Sequence, residues 1–476
     1  MTSRRNVAKK KAAPARRLAP AQPLVVIILA AGEGKRMHSA LPKVLQPLAG
    51  RPLLQYVLDT ARSLDPAAIH VVYGHGGQVV PQAFAHEQVS WVRQAQQLGT
   101  GHAVLQVAPL LSAPQRALIL YGDGPLITTQ TLQALLQVAG RDGVGLLTVN
   151  ASDPCGYGRV LRNAGGRVQA IVEERDATAK QRRVRECNTG VLTLPVARLT
   201  KWLERLDNRN SQGEFYLTDV IALAVRDRVA VQPLIASDER EVQGVNDRVQ
   251  LAAAESAWRA RQTRKLMLEG ATLIDAARVD IRGQVSVGRD VLIDVNVVLE
   301  GKVQLGDGVK IGANCLIRDA QIAAGTQVFP NCIIDRAVIG PDCRIGPFAR
   351  LRPEAVLAEQ VHIGNFVEVK KSRIGARSKA NHLTYLGDAN IGADVNVGAG
   401  TVTCNYDGIN KWPTTIEDDV FIGSGSMLVA PVQIGAGSNI GAGSTISRSA
   451  PAGRLTVARS RQVTIPGWKR PTKRST

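Results

Sequence analysis

Aliphatic residues recur at every sixth position from about residue 281 to residue 446. Three in-phase series run from Ile281 to Ile317, from Ile333 to Val369 and from Ile416 to Ile446, and many members precede a glycine. A period of six matches neither an α-helix nor a single long strand. It predicts short strands separated by sharp corners and wound into a left-handed parallel β-helix, whose stacked coils share one aliphatic core.

The chain carries a formal net charge of +19, and much of that charge lies at its ends. Residues 1–22 contain seven Lys or Arg and no acid, and residues 469–476 are also basic and free of acid. Such composition predicts solvated, disordered tails. Nucleic-acid binding by the tails is the alternative, but anionic phosphate substrates account for the remaining excess, so we expect no nucleic-acid partner.

The six cysteines are scattered, with no CxxC pair. This spacing argues against a zinc site and a disulfide framework and favours reduced thiols. No apolar run approaches the roughly 20 residues that span a bilayer. We therefore expect a cytoplasmic protein without a membrane partner.

The first half of the chain alternates apolar strands with helical stretches, which predicts a doubly wound, Rossmann-like α/β domain. Residues 24–30 form a continuous apolar run, typical of a central strand covered on both faces. A glycine-containing basic loop follows at residues 31–37, and Pro42-Lys43 comes shortly after. Glycine lets backbone N–H groups approach a phosphate, and Lys or Arg neutralises it, although an ordinary turn would look similar.

Asp123 follows a second apolar strand, at residues 117–121. Ligands of open α/β sheets bind at the carboxyl ends of the strands, and carboxylate oxygens suit Mg²⁺. Asp123 is therefore a candidate metal ligand, with a helix-capping role as the alternative. We predict a basic tail at 1–22, a doubly wound α/β domain at 23–248, a linker helix at 249–270 and a β-helix domain with a basic end at 271–476.

The combination of the two halves of the sequence points to one protein family. Leu29-Ala-Ala-Gly-x-Gly-x-Arg-Met37 with Leu41-Pro-Lys43 resembles the signature of sugar-nucleotide pyrophosphorylases. Combined with a β-helix carrying residues 381–388 and 403–408, the chain resembles the bacterial bifunctional uridyltransferase/acetyltransferases over about residues 24–470. The resemblance implies acetyl-CoA-dependent N-acetylation of glucosamine-1-phosphate, then UTP-dependent uridylyl transfer to N-acetylglucosamine-1-phosphate with release of pyrophosphate. It also implies Mg²⁺ as cofactor and a role in supplying cell-wall precursors.

For uridylyl transfer, the resemblance places Arg36 and Lys43 at the triphosphate as catalytic cations, and Asp123 and Asn246 at the metal. Further contacts with UTP and the UDP-sugar are expected at Leu29, Ala30, Ala31, Gly32, Gln94, Gly99, Thr100, Tyr121, Gly122, Gly158, Glu173 and Asn188, the last three of which are expected to contact the sugar.

For acetyl transfer, the repeat predicts that His382, two residues beyond the inward Ala380, faces outward near a corner. A near-neutral imidazole suits removal of a proton from an amine, and the resemblance assigns His382 as this base, with Glu368 to orient it. It places glucosamine-1-phosphate at Arg352, Lys370, Tyr385 and Asn396, and acetyl-CoA at Ala399, Asn405, Tyr406, Ser424, Ala442 and Arg459. The polar stretch 405–413 breaks the repeat and is expected to reach a neighbouring subunit of a homotrimer.

Three positions depart from the family pattern: Gly124, Arg175 and Asn381. Two other functions share this domain pair: a pyrophosphorylase whose β-helix only binds an effector, as in glucose-1-phosphate adenylyltransferases, and a non-enzymatic exchange-factor subunit. His382, Asn405 and Arg459 argue against the first, and Lys43 and Asp123 argue against the second.

Overall fold

The computed structural model describes residues 22–471 and residue 473. Almost all of the predicted N-terminal tail, residues 1–21, lies outside the described residues, as does Arg474 at the other end. The chain divides into two compact units, with the division between Ala254 and Glu255. In the described part of the chain, no helix combines the length and the hydropathy needed to cross a membrane.

In its described residues, the first unit contains eleven strands and seven α-helices, and the division between the units falls within an eighth α-helix. The strands are β1 Leu24–Ala30, β2 Pro47–Leu48, β3 Arg51–Pro52, β4 Ala68–Tyr73, β5 Ser90–Arg93, β6 Arg116–Tyr121, β7 Val144–Asn150, β8 Arg159–Arg162, β9 Val168–Val172, β10 Glu186–Pro195 and β11 Val231–Ile235. The helices are α1 Leu53–Arg62, α2 Val79–Ala83, α3 Thr100–Leu105, α4 Thr129–Ala139, α5 Ala179–Arg182, α6 Val196–Leu203, α7 Asp219–Arg226 and α8 Arg248–Leu268.

The main sheet of this unit has the order β11-β7-β10-β6-β1-β4-β5, and β8 and β9 extend it beside β10. Strand β10 is antiparallel to β6 and β7. Strand β1 lies between β4 and β6 and is parallel to both. Val25 and Ile27 pack into the core on one face of β1, and Val26 and Ile28 pack into the core on the other. This confirms a central strand covered on both faces.

The second unit is a parallel β-helix. Its strands are β12 Ala271–Leu273, β13 Val279–Val287, β14 Val291–Ile293, β15 Val297–Leu305, β16 Lys310–Ile311, β17 Leu316–Arg318, β18 Gln321–Ile322, β19 Gln327–Val328, β20 Ile333–Asp335, β21 Val338–Ile339, β22 Arg344–Ile345, β23 Arg350–Leu351, β24 Val356–Leu357, β25 His362–Asn365, β26 Glu368–Lys370, β27 Arg373–Ile374, β28 Lys379–His382, β29 Tyr385–Gly387, β30 Ala389–Ile391, β31 Asn396–Val397, β32 Val402–Cys404, β33 Thr414–Ile416, β34 Phe421–Ile422, β35 Met427–Val429, β36 Val432–Ile434, β37 Asn439–Ile440, β38 Thr445–Ile446 and β39 Leu455–Thr456. Strand β12, β14 and every third strand from β16 to β37, followed by β39, form an eleven-stranded sheet, and the other strands form a seventeen-stranded sheet.

The aliphatic series fills one continuous core, as the repeat predicts. One assignment was wrong: Ile333 is 45% exposed, and Ile334 takes the inward position. The reason is a shortened coil, because Ile334 pairs with Leu351, seventeen residues later, whereas Ile293 pairs with Ile311, eighteen residues later. Within that coil the inward residues Ile334 and Ile339 are only five positions apart, so the six-residue series of Ile339 does not extend back to Ile333. Cys315, Cys332 and Cys343 lie buried in this unit as free thiols.

Candidate functional sites

The first unit contains a cavity of about 550 Å³ beside the carboxyl ends of β1 and β6. Every residue predicted for uridylyl transfer lines this cavity except Gly122. Gly122 instead donates its N–H to the carbonyl of Leu29 at 2.9 Å, and a Cβ there would lie 3.2 Å from Ala30. Gly122 is therefore a packing position beneath the cavity. Of the residues that depart from the family pattern, Gly124 lines the cavity and Arg175 is exposed.

Lys43 joins the two predicted metal ligands. Its ammonium donates a hydrogen bond to Asp123 Oδ2 and another to Asn246 Oδ1, the latter at 2.9 Å. Gly34 makes this approach possible, since its φ is +69° and an added Cβ would lie 2.7 Å from the Cβ of Lys43. The side chains of Lys43 and Asp123 are only 13% and 12% exposed, so their attraction is weakly screened by water.

Asp123 and Asn246 therefore direct oxygen atoms at one point that a cation occupies. Oxygen donors of this kind suit Mg²⁺, which takes one or two protein oxygens and completes its octahedron with phosphates and water. The described residues contain no cluster of three or more His, Cys, Asp or Glu side chains that could hold a metal ion on their own. The donor set fits a metal that arrives with a phosphate ligand, not one held in a closed protein cage.

Glu173 and Asn188 lie at the part of the cavity predicted for the sugar. Thr218 Oγ1 donates to Glu173 Oε1 at 3.0 Å, and burial raises the pKa of Glu173 in spite of this bond. Asn188 accepts the N–H of Gly190 at 3.0 Å and donates its own N–H to the carbonyl of Gly158 at 2.8 Å. The sequence reasoning missed Thr218, which precedes a helix and carries no motif of its own.

Gln94, which is buried, and Tyr121, which is half-buried, form polar walls of the same cavity. Gln94 Nε2 donates to the carbonyl of Gly99 at 3.1 Å and lies 3.0 Å from His102 Nδ1. Burial raises the pKa of Tyr121, so its hydroxyl stays protonated and can donate. At Gly190, where φ is +84°, a Cβ would lie 2.3 Å from the Tyr121 ring. The glycine therefore leaves room for the aromatic wall.

On the second unit, His382 is exposed at the end of β28, as its place in the repeat predicts. Backbone hydrogen bonds stack it with the predicted acetyl-CoA residues: Gly400 N–H donates to the His382 carbonyl, Gly425 N–H to Ala399 and Gly443 N–H to Ser424. Arg459 Nη1 donates to the carbonyl of Ala442 at 2.6 Å. Since neighbouring strands lie about 4.8 Å apart, Ala442 lies about 14 Å along this column from His382.

Next to this column, the corner of each coil carries a bulky residue up to the coil of His382 and a glycine on the coils above it. On the coils below, the left-handed corner residues are Phe348, Phe366 and Leu383, with φ of 57°, 55° and 50°. On the coils above, the same corner is Gly400, Gly425 and Gly443, with φ of 75°, 69° and 74°. The absence of side chains there opens a groove of Ala, Gly and Ser that begins at His382. Asn381, beside it, lies within the regular strand β28 and has no left-handed backbone.

A cluster of charged residues occupies the next face of the β-helix. Arg352 Nη1 donates to Glu368 Oε1 at 2.8 Å, so Glu368 is engaged by Arg352 and not by His382. Lys370 Nζ lies 3.6 Å from Asp388 Oδ2. The hydroxyl of Tyr385 lies back over Gly387, where a Cβ would be 2.3 Å from it. Three of the residues predicted for glucosamine-1-phosphate thus share one face.

The loop at residues 405–413 meets this cluster through two residues. Asn405 Nδ2 donates to Asp388 Oδ2. Lys411 lies beside Lys370, and contact with this second ammonium and its positive charge lower the pKa of Lys411. Tyr406 is 59% exposed. Sequence reasoning missed Asp388 and Lys411 as candidate residues. The available signals were an aspartate in the Leu386-Gly387-Asp388 turn and a lysine in the stretch that breaks the repeat.

Asn396 lies apart from the other three residues predicted for the sugar phosphate. It belongs to β31 in the eleven-stranded sheet, beside Lys379. Arg352, Lys370 and Tyr385 lie on or next to strands of the seventeen-stranded sheet. The four residues consequently occupy two different faces of one chain.

Comparison with known proteins agrees with this division. A MobA-like NTP transferase domain matches residues 26–213, a GMPPB C-terminal domain matches residues 281–382, and six repeats of the bacterial transferase hexapeptide match residues 413–448. Proteins named bifunctional protein GlmU are similar over most of their length. The one from Azoarcus sp. (strain BH72) is 57% identical, covering 94% of this chain and 99% of that protein. The one from Stenotrophomonas maltophilia (strain K279a) is also 57% identical, covering 95% and 100%, and the one from Alkalilimnicola ehrlichii is 56% identical, covering 95% and 98%.

Proposed function

The chain belongs to the family of bifunctional GlmU proteins, with a nucleotidyltransferase domain and a hexapeptide acyltransferase domain, and we propose how its residues divide the two reactions. The enzyme acetylates glucosamine-1-phosphate and transfers a uridylyl group to N-acetylglucosamine-1-phosphate. The proposal assigns residues 23–248 to uridylyl transfer, 249–270 to a connecting helix and 271–476 to acetyl transfer.

For uridylyl transfer, an oxygen of the N-acetylglucosamine-1-phosphate phosphate attacks the α-phosphorus of UTP, the bond to the β-phosphate breaks, and pyrophosphate leaves. No covalent intermediate with the protein is needed, so catalysis consists of positioning and charge neutralisation. Arg36 and Lys43 neutralise the triphosphate, and Glu173 and Asn188 hold the sugar. Mg²⁺, held by Asp123 and Asn246, supplies further neutralisation of the phosphates when bound.

The single observation that carries this half is the contact of Lys43 with both Asp123 and Asn246. Three residues separated by up to 203 positions in the chain converge there, at the cavity and at the sheet edge where ligands of α/β proteins bind. The ammonium balances the carboxylate in the free enzyme. Asp123 and Asn246 are the residues that would hold a metal, and Lys43, once released from them, would bind the triphosphate.

For acetyl transfer, the amine of glucosamine-1-phosphate attacks the thioester carbonyl of acetyl-CoA, the C–S bond breaks, and the thiolate of CoA leaves. His382 accepts the proton that the amine loses. The thioester-bearing arm lies along the groove of Ala399, Ser424 and Ala442, with Arg459 at its far end. The phosphate of the sugar binds Arg352 and Lys370.

We propose that the chain acts as a homotrimer in the cytoplasm. The supporting observation is that Asn396 lies on a different face from Arg352, Lys370 and Tyr385. If all four bind one sugar phosphate, Asn396 comes from a neighbouring copy of the chain. Analytical ultracentrifugation is expected to give three times the mass of one chain, and a monomer with full acetyltransferase activity would contradict this arrangement.

The test of function is incubation with glucosamine-1-phosphate, acetyl-CoA, UTP and Mg²⁺, followed by mass spectrometry. We expect UDP-N-acetylglucosamine only when all four are present. His382→Ala is expected to lose acetyl transfer by at least about 100-fold, the contribution typical of a general base, and to keep uridylyl transfer. Asp123→Ala is expected to do the reverse. Loss of both activities in either variant would show that these roles are misassigned.

A further inference from the structure

Asp388 lies between the residues predicted to bind glucosamine-1-phosphate and those predicted to bind acetyl-CoA. It is the corner residue after β29, with a left-handed backbone of φ +49°. Its N–H donates to the carbonyl of Lys370 at 3.1 Å, and its carbonyl accepts the N–H of Thr414 at 3.1 Å. Its backbone therefore ties the coil below to the strand that follows the loop at 405–413.

The carboxylate of Asp388 makes a second set of connections. Its Oδ2 accepts the amide of Asn405 and lies 3.6 Å from the ammonium of Lys370. The side chains of Lys370 and Asp388 are only 18% and 12% exposed. A charge-assisted hydrogen bond between side chains with so little solvent exposure is stronger than one between neutral groups. One carboxylate oxygen thus joins a predicted sugar-phosphate residue to a predicted acetyl-CoA residue.

The loop behind Asn405 is braced by its own hydrogen bonds. Trp412 N–H donates to the carbonyl of Asn405 at 2.8 Å and closes the loop. Asp407 accepts from the N–H groups of Ile409 and Asn410 and from Trp412 Nε1, at 2.8, 2.6 and 2.7 Å. These bonds hold the pKa of Asp407 near 2. A loop braced in this way moves as one body, so its root at Asn405 decides where Lys411 is held.

Asp388 also lies among positive charges. Lys411 is brought against Lys370, and the carboxylate of Asp388 is the negative group that offsets their repulsion. A carboxylate beside a phosphate site weakens anion binding by itself. The role of the Asp388 carboxylate is therefore to anchor the loop and not to contact the substrate.

We infer that Asp388 is a positioning residue for acetyl transfer, which anchors the loop at 405–413 so that Asn405 and Lys411 face the two co-substrates together. The inference rests on the proposed acetyltransferase function. It adds a residue that couples the sugar-phosphate side to the acetyl-CoA side.

The test uses the full chain and the variant Asp388→Gly, because glycine adopts a left-handed backbone without strain and removes only the side chain. The matched control is Asp394→Gly: Asp394 is also a left-handed corner residue, with φ +57°, and is ion-paired with Arg377 at 2.6 Å. For Asp388→Gly we expect the KM values for glucosamine-1-phosphate and acetyl-CoA to rise together, by about tenfold, with a smaller fall in kcat. The control is expected to keep wild-type values.

A second readout does not depend on activity. Trypsin cleavage after Lys411 is expected to accelerate several-fold in Asp388→Gly and to stay slow in the control. Asp388→Asn keeps an acceptor for Asn405 and is expected to restore slow cleavage and the KM for acetyl-CoA. Asn405→Asp places two carboxylates together, leaves the corner unchanged, and is expected to open the loop as Asp388→Gly does, which keeps the test decisive if Asp388→Gly fails to fold.

Unchanged cleavage with unchanged KM values in Asp388→Gly would overturn the inference, and so would a loss confined to kcat. If the wild-type chain did not acetylate glucosamine-1-phosphate, the proposed function would fail. The cleavage comparison would still decide whether Asp388 anchors the loop.

Discussion

At the scale of single residues, the contact of Lys43 with Asp123 and Asn246 forms one charged centre from three distant positions of the chain. The convergence of Lys43, Asp123 and Asn246 was predictable. The family signature and the position of Asp123 at the end of a strand place these residues at one edge of the sheet. Their direct contact was not predictable, since it depends on the φ of Gly34 and on the final side-chain packing. Asp388 and Lys411 were missed because their proximity is set by how a loop folds back, which no short-range pattern encodes.

Asp219 provides a prediction at the same scale. Burial, followed by the charges of Asp207, Glu173 and Asp176, raises the pKa of Asp219 from 3.8 to about 6. A carboxyl whose pKa is higher in the folded state costs stability once it ionises, so its effect is absent below about pH 4 and complete above about pH 6. Asp219→Asn removes this cost at neutral pH.

We expect Asp219→Asn to raise the free energy of unfolding by about 1 kcal/mol at about pH 7.5, and by much less at about pH 4.5. A two-unit shift corresponds to about 3 kcal/mol in full. Solvent screening and the favourable position of a carboxylate at the start of α7 reduce it. Urea unfolding at both pH values measures the difference; an equal effect at both would contradict the assignment.

At the scale of elements, the hexapeptide repeat predicted the β-helix and most of its inward residues but not its exact phase. A period of six is a local rule, whereas the length of a coil is set by three corners together. The short coil between Ile334 and Leu351 therefore escaped it, and Ile333 was placed inside although it is 45% exposed. Beyond that coil, inward Ile374, Ala380 and Leu386 lie as predicted, which is why His382 was correctly expected to face outward.

The adjacent isoleucines at this point allow a matched test of the register. Ile334→Ala removes a fully buried side chain and is expected to lower the free energy of unfolding by about 2–5 kcal/mol. Ile333→Ala, one residue away, alters an exposed side chain and is expected to change it by no more than about 0.5 kcal/mol. Chemical denaturation of the two variants measures both. A larger loss for Ile333→Ala would restore the original phase and contradict the observed one.

At the scale of the molecule, the chain has two activities because its two units form their sites in different ways. The first unit gathers its site from strand ends of a twisted sheet, and the second from stacked corners and faces of a β-helix. Each unit encloses its own core, and the division between them falls within α8. In the sequence, the change from an alternating pattern to a six-residue repeat located the transition.

Separate cores predict separate unfolding transitions. Ile334 belongs to the core of the second unit and Leu118 to a core of the first, and both are fully buried. A loss of about 3 kcal/mol in a unit of this size corresponds to a fall of about 6–12 °C in its Tm. In differential scanning calorimetry, Ile334→Ala is therefore expected to shift one transition and Leu118→Ala the other. Heating to between the two midpoints should abolish one activity and leave the other, and equal shifts of both transitions in either variant would mean that the units unfold as one.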